Sequence, residues 1–197
     1  MTLEPILDFA HTLATRALRP GDVAVDATIG NGHDTLTLAQ AVGRDGRVHG
    51  FDVQDRAFEQ TRARLRAEGV ADRVTLHEAG HEHMGRHVPD AVHGAVGAVT
   101  FNLGYLPGSD SALTTTPDTT LPALDAALGV LRPGGVITAV LYTGHEGGAA
   151  EAEAVHEWTA NLGQERAEGL SYQFVNQQGD PPRLLAIEKK TPDGAAS

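Results

Sequence analysis

Apolar residues at Ile6, Leu7, Phe9, Ala10, Leu13, Ala14 and Leu18 recur at intervals of three and four, which predicts an amphipathic helix over Pro5–Arg19. Pro20-Gly21 ends it. His11 and Arg16 lie on this helix within reach of a ligand, and a solvated face is the preferred reading for both. Asp22–Thr28 is nearly all apolar, the pattern of a strand buried on both faces. The periodicity then alternates: helix Asp34–Val42, strand Arg47–Asp52, helix Asp55–Glu68 with Phe58 and Leu65 inward, strand Arg73–His77. A polar, histidine-bearing stretch leads to a fourth strand, Gly94–Phe101. Helix Asp118–Leu131, a turn at Arg132-Pro133-Gly134-Gly135, strand Val136–Tyr142 and helix Gly148–Leu162 follow. Ser171–Asn176 and Arg183–Glu188 read as two last strands joined through Gln177–Pro182.

Five strand–helix alternations closed by two nearby strands predict an α/β fold. The expected architecture is a doubly wound, mostly parallel seven-stranded sheet with an antiparallel terminal hairpin and helices on both faces. Residues 1–190 are expected to form one domain, and the polar segment Thr191–Ser197 a disordered tail.

Between the first strand and its helix runs Asp26-Ala-Thr-Ile-Gly-Asn-Gly-His-Asp-Thr35. Gly30 and Gly32 permit a sharp turn and a close backbone approach to a ligand, and the new helix offers unpaired N–H groups. A dinucleotide fingerprint would continue to a third glycine; Thr35 stands there instead, and Asp34 occupies the place where a diphosphate would dock. An acid at that point suits a cationic or amine-bearing ligand. Asp52 closes the second strand, where an acid accepts hydrogen bonds from ribose hydroxyls. Phe101-Asn102-Leu-Gly-Tyr105-Leu-Pro107 at the end of the fourth strand offers an amide and a turn that can hold a nitrogen nucleophile. Ammonium, carboxylate, sulfonium and ribose together describe S-adenosylmethionine.

Composition narrows the setting. Hydrophobic content of 41% and charged content of 21% are ordinary for a globular domain. The absence of cysteine excludes a disulfide scaffold, a thiolate zinc site and a cysteine nucleophile, and fits a reducing cytoplasm. No signal peptide or membrane span is read. A net charge of −11, from 15 basic and 26 acidic residues, argues against broad phosphate binding but leaves room for a local basic patch. Lys189 and Lys190 are the only lysines, so the cationic surface is arginine, with Arg16, Arg19 and Arg56–Arg66 the candidate strip.

The chain resembles the MnmM/YtqB family of class I methyltransferases. The resemblance rests on Asp26–Thr35, Phe51-Asp-Val-Gln54, His81-Glu-His-Met84, Phe101–Asp110, Tyr142-Thr-Gly-His-Glu-Gly-Gly148 and Asn176 through Pro181-Pro182 to Lys189. One departure is Pro107-Gly-Ser-Asp-Ser111, where the family usually reads Pro-Gly-Gly-Asp-Lys; the lysine lost was a candidate RNA contact. The resemblance implies methylation of the aminomethyl group of 5-aminomethyl-2-thiouridine at the tRNA wobble position. The expected partner is the tRNA anticodon stem-loop, with a homodimer as a further expectation.

Read onto this chain, Gly30, Asn31 and Gly32 line the methionine part of the cofactor, Asp34 and Thr35 add polar contacts, and Asp52 binds the ribose. Gln54 reaches the adenosine, and His81 stacks on or hydrogen-bonds adenine. Asn102 also borders the cofactor and orients the neutral amine. Tyr105 packs against the uracil. Tyr142 and His145 are candidates to relay a proton or hold the base, His145 being the better base. Asn176 is a candidate for the substrate cleft. The histidines between His77 and His93 lack the H-E-x-x-H spacing, because position 85 is Gly, so solvated loop histidines are preferred over a metal cluster. Alternatives are a small-molecule N- or O-methyltransferase, an rRNA methyltransferase, and a non-catalytic cofactor-binding subunit.

Overall fold

A computed structural model of the chain describes residues 2–104 and 114–191. The elements are α1 (Ile6–Ala17), β1 (Val23–Asp26), α2 (His33–Ala41), β2 (Arg47–Asp52), α3 (Asp55–Ala67) and β3 (Val74–Glu78). They continue with α4 (Met84–His87), β4 (Val96–Leu103), α5 (Pro117–Val130), β5 (Leu131–Leu141), α6 (Gly148–Ala160), β6 (Ala167–Tyr172) and β7 (Arg183–Lys189). One seven-stranded sheet has the order β3-β2-β1-β4-β5-β7-β6. The first five strands are parallel; β7 runs antiparallel to β5, and β6 antiparallel to β7. The strand order reverses between β1 and β4, and the crevice at such a switch point is where doubly wound sheets bind ligands.

The alternation of side chains along the strands sorts the core into two layers. Val25, Phe51, Val99, Phe101 and Ile137 pack with Met84, Leu124 and Val155, under α4, α5 and α6. Ala24, Val48, Ala98 and Val136 face Ala14, Leu38 and Leu65, under α1, α2 and α3. Each fully buried Leu, Val or Phe contributes about 1.5–3 kcal/mol. The predicted face of α1 is the buried one: Ile6, Ala10 and Ala14 turn inward against the sheet.

Four expectations are corrected. The first strand of the final pair is shifted, β6 running Ala167–Tyr172 rather than Ser171–Asn176, because its register is set by pairing Ala167 with Lys189 and Tyr172 with Leu184, while β7 lies where it was expected. Val175 mimics strand character in the sequence and is 90% exposed. The strand β5 begins at Leu131, which pairs with Val96; the expected turn at Arg132–Gly135 is an irregularity within it, after which Val136 pairs with Ala98. The stretch after β3 is not a polar loop: a 3-10 turn (His81–His83) leads into α4, with Met84 and Val88 buried at 0% and 1%. Finally, not all of the histidines from His77 to His93 are solvated: His77, already read at the end of the third strand, is half-buried. His77 sits on β3, 3.0 Å from Nδ1 of His49 through its own Nε2 and stacked on Phe51. Burial, then His49 and His87, push its pKa down to about 4, so the ring is neutral. His81 is buried as well.

Among the described residues no helix is long and apolar enough to cross a membrane. Among them, too, no group of three or more His, Asp or Glu side chains is arranged to hold a metal.

Candidate functional site

A cleft of about 780 Å³ opens over the carboxyl ends of β1, β2, β4 and β5, in the size range of small-molecule and cofactor sites. The glycine turn forms one wall. Gly30 and Gly32 have φ of 53° and 74°, a region that favours glycine. A Cβ on Gly32 would also run into the side chain of Thr61 on α3. The Arg64 guanidinium donates to the Asn31 carbonyl at 3.0 Å and holds the turn from outside. Gly30 and Asn31 line the cleft, whereas Gly32 serves as the left-handed residue that starts α2.

Asp52 anchors the second wall. One carboxylate oxygen accepts the Gly30 N–H at 2.9 Å; the other accepts those of Val53 and Gln54 at 2.8 and 3.0 Å. The acid thus ties the end of β2 to the glycine turn. A carboxylate offers about four acceptor sites, so capacity for a ligand hydroxyl remains. Gln54 lines the cleft beside it. His81 also lines it, with its ring edge on Phe101 at 5.7 Å. Burial lowers its pKa, and a hydrogen bond to the Ala27 backbone partly opposes this. A neutral imidazole held in this way keeps a fixed ring orientation.

Asn102 lies one residue before the end of β4, where the sequence reading had placed it just beyond the strand. Its backbone N–H donates to the Thr28 hydroxyl at 2.6 Å. Its Nδ2 donates to Oδ2 of Asp34 at 2.7 Å. Its Oδ1 is buried and has no hydrogen-bond partner among the described residues. The other oxygen of Asp34 meets Nε2 of His11, reaching across from α1, at 2.7 Å. The preferred reading of His11 as a solvated side chain is therefore corrected. The bond to Asp34 raises the pKa of His11, with burial opposing.

Tyr142 lines the cleft, and burial followed by the Asp34 charge raises its pKa, keeping the phenol protonated. His145 packs behind it, its Nε2 near the places where Cβ atoms on Gly104 and Gly148 would sit, and its Nδ1 is 3.0 Å from the Glu146 carbonyl. It is not part of the cleft lining. Thr35 is off the lining too: it is fully buried, and its hydroxyl donates to Asp26. Asn176 is exposed and away from the cleft. Tyr105 and the rest of residues 105–113 lie outside the described residues, as does the expected tail from residue 192.

Three contributors escaped the sequence reading. Asp26, 0% exposed beneath the glycine turn, has its pKa pushed up to about 7 by burial and by Asp34, against the bonds it accepts from Thr35 and Thr28. Thr28 positions the Asn102 backbone. Glu151, 2% exposed at the start of α6, accepts from the hydroxyls of Thr120 and Thr115 at 2.6 and 2.7 Å. Thr115 Oγ1 in turn takes the Gly104 N–H at 2.9 Å. An alanine-rich helix gives no sign that its one inward acid has hydroxyl partners on α5 and just before it. Asp26 was visible in the motif, but only the structure shows that it is enclosed.

The charge of the cleft is one-sided. Asp8, Asp34, Asp52 and Glu82 line it, and no Lys or Arg does among the described residues. Such a surface favours a cationic ligand over a diphosphate.

Comparison with known proteins places the chain in a family. The sequence profile of the family described as "Putative rRNA methylase" matches residues 48–188. A chloroplastic tRNA (mnm5s2U34)-methyltransferase of Arabidopsis thaliana is 40% identical over 93% of this chain and 69% of its own length. A crystal structure of a "putative rRNA-methylase" from Clostridium thermocellum superposes with a TM-score of 0.91 at 41% identity, covering 96% of this chain and 100% of that one. A "putative methyltransferase" of Streptococcus mutans, solved in complex with SAH, superposes with a TM-score of 0.86 at 33% identity, covering 95% and 99%. On the extent of the profile match and on these relatives, the chain belongs to the family described as "Putative rRNA methylase".

Proposed function

We propose that the protein is an S-adenosylmethionine-dependent N-methyltransferase that converts the aminomethyl group of 5-aminomethyl-(2-thio)uridine at the tRNA wobble position to methylaminomethyl. One observation carries the nitrogen chemistry: the buried Oδ1 of Asn102, without a hydrogen-bond partner among the described residues, in an amide whose other end is committed to Asp34. An orphaned buried acceptor costs about 1–3 kcal/mol, a cost removed when a ligand N–H arrives. The tRNA substrate is supported by the Arabidopsis relative, and the cofactor by the Streptococcus neighbour.

The donor set fits the cofactor. The acid-lined cleft, with no Lys or Arg among its described residues, suits an ammonium and a sulfonium, Asp52 retains acceptor capacity for a ribose hydroxyl, and Phe51, Val53, Ala79 and His81 offer surface for an adenine. When bound, S-adenosylmethionine supplies a methyl group already activated by its sulfonium. The protein therefore positions and excludes water rather than generating a reactive group. Asn102 Oδ1 accepts an N–H of the neutral substrate amine and turns its lone pair toward the methyl carbon. The amine is competent only after its ammonium has lost a proton. Tyr142, held as a phenol, contributes a hydrogen bond at the cleft mouth. Tyr105 is assigned to stacking on the uracil and His145 to support of the Tyr142 region.

Exposed Arg56, Arg62 and Arg66 on α3, beside the cleft wall formed by Gln54, are the proposed RNA-facing cations; Glu59 and Glu68 interrupt them. That interruption, with the net charge of −11, is the observation that favours the second reading, a small-molecule amine methyltransferase. The proposed setting is the cytoplasm, with a homodimer supplying additional RNA-facing surface. Expression in a strain lacking the final methylation, followed by mass spectrometry of digested tRNA, tests the function. The aminomethyl nucleoside should be replaced by its methylaminomethyl form; unchanged aminomethyl nucleoside would refute the tRNA reading.

A further inference from the structure

The chain His11–Asp34–Asn102 joins three separate elements. His11 comes from α1, which precedes the first strand; Asp34 is the second residue of α2; Asn102 is at the end of β4. Both links are 2.7 Å, and the Asp34 and His11 side chains are 13% and 30% exposed. The two ends of an asparagine amide are nearly equal in shape, so shape alone does not decide which end faces a ligand. A carboxylate decides it, because it only accepts: Asp34 takes the NH2 end and leaves the carbonyl end for the cleft. A carboxylate held on one side only can rotate about its own terminal bond, which is soft. His11 supplies the second hold.

We propose that His11 is a positioning residue of this site: by fixing the Asp34 carboxylate it fixes the amide of Asn102 with Oδ1 presented to the substrate amine. The inference rests on the amine-methylation reading for its consequence, but not for its geometry. It gives α1 a function besides covering the sheet. His11 touches neither amine nor methyl, and acts only through Asp34.

The test uses the full chain with His11→Leu, which removes the donor, and His11→Gln, whose amide nitrogen reaches about as far as imidazole Nε2. The first readout is the side-chain amide NMR signal of Asn102, assigned by its disappearance in Asn102→Ala. Wild type and His11→Gln should show one strongly hydrogen-bonded amide proton, and His11→Leu should lose it. The second readout is turnover on tRNA bearing aminomethyluridine. Loss of a charge-assisted hold predicts roughly a tenfold or greater fall in kcat for His11→Leu. KM for tRNA should stay within about twofold, and His11→Gln should restore most of the rate. An unchanged Asn102 amide signal in His11→Leu overturns the inference, as does a kcat loss that persists undiminished when Asp34→Asn is already present. If wild type methylates no aminomethyluridine, the substrate reading fails, while the amide signal still decides the role of His11.

Discussion

Asp26 turns a buried carboxyl into a measurable pH dependence. Its folded pKa of about 7 lies above the ordinary 3.8 because the side chain is enclosed and Asp34 is near. A folded carboxyl that holds its proton more tightly than the unfolded one contributes stability at low pH. That stability is lost as pH rises from about 4 to about 7, and the loss is complete above that range. Three units at about 1.4 kcal/mol each set a ceiling of about 4 kcal/mol on the effect. Asp26→Asn mimics the protonated state: its oxygen can keep the Thr28 N–H and its NH2 can donate to the Thr35 hydroxyl, the two partners Asp26 now has. The variant should therefore match wild type near pH 4.5 and exceed it at pH 8 by as much as about 4 kcal/mol. For a chain of this length each kcal/mol is about 2–4 °C in Tm. Paired thermal or urea unfolding curves between pH 4.5 and 8.5 measure the difference. A gap of the same size at both ends of that range, or a variant less stable than wild type at pH 8, would refute the reasoning. With the proposed cofactor bound, its ammonium should draw the Asp26 pKa back down. Titration calorimetry in buffers of different ionisation enthalpy should then show proton release on binding near neutral pH.

Asp52→Ala removes the acceptor for three backbone N–H groups as well as for ribose hydroxyls, so cofactor affinity should fall by about 2–4 kcal/mol and stability by about 1–3; calorimetry giving wild-type affinity would remove Asp52 from the site. Asn102→Ala should keep cofactor affinity within a few-fold while lowering kcat by about 100-fold or more, and normal turnover would end its proposed role with the amine. Gly32→Ala forces a Cβ into both a positive φ and the Thr61 side chain. It should cost about 1–3 kcal/mol in urea unfolding, and an unperturbed midpoint would show that the turn relaxes freely.

The fold was readable because mainly apolar runs mark strands that are buried on both faces, as in β1 (Val-Ala-Val-Asp) and β4, and because helix-period segments separate them. The first strand of the terminal hairpin was misplaced because Phe174 and Val175 look like strand residues, while the pairing that fixes the register lies on β7 and cannot be seen locally. Within the site, Gly30, Asn31, Asp34, Asp52, Gln54, His81, Asn102 and Tyr142 were all named from the chain and all line one cleft. Their reason for being there was less legible. Asp34 reads in the sequence as a free acid at a helix start, and only the fold brings His11 and Asn102 to its two oxygens. The same limit hid His49 and His77, which belong to different strands and meet across the sheet at 3.0 Å.

The hydrogen bonds between Gly104 and Thr115 also bear on how this scaffold can change. The Thr115 N–H returns to the Gly104 carbonyl at 3.2 Å, the Thr115 hydroxyl takes the Gly104 N–H, and Glu151 holds that hydroxyl from α6. Gly104 and Thr115 are thus fastened to each other through both backbone and side chain. The end of β4, and Asn102 with it, is therefore coupled through Gly104 and Thr115 to an acid on α6, so a substitution at Glu151, outside the cleft lining, would be felt at the site.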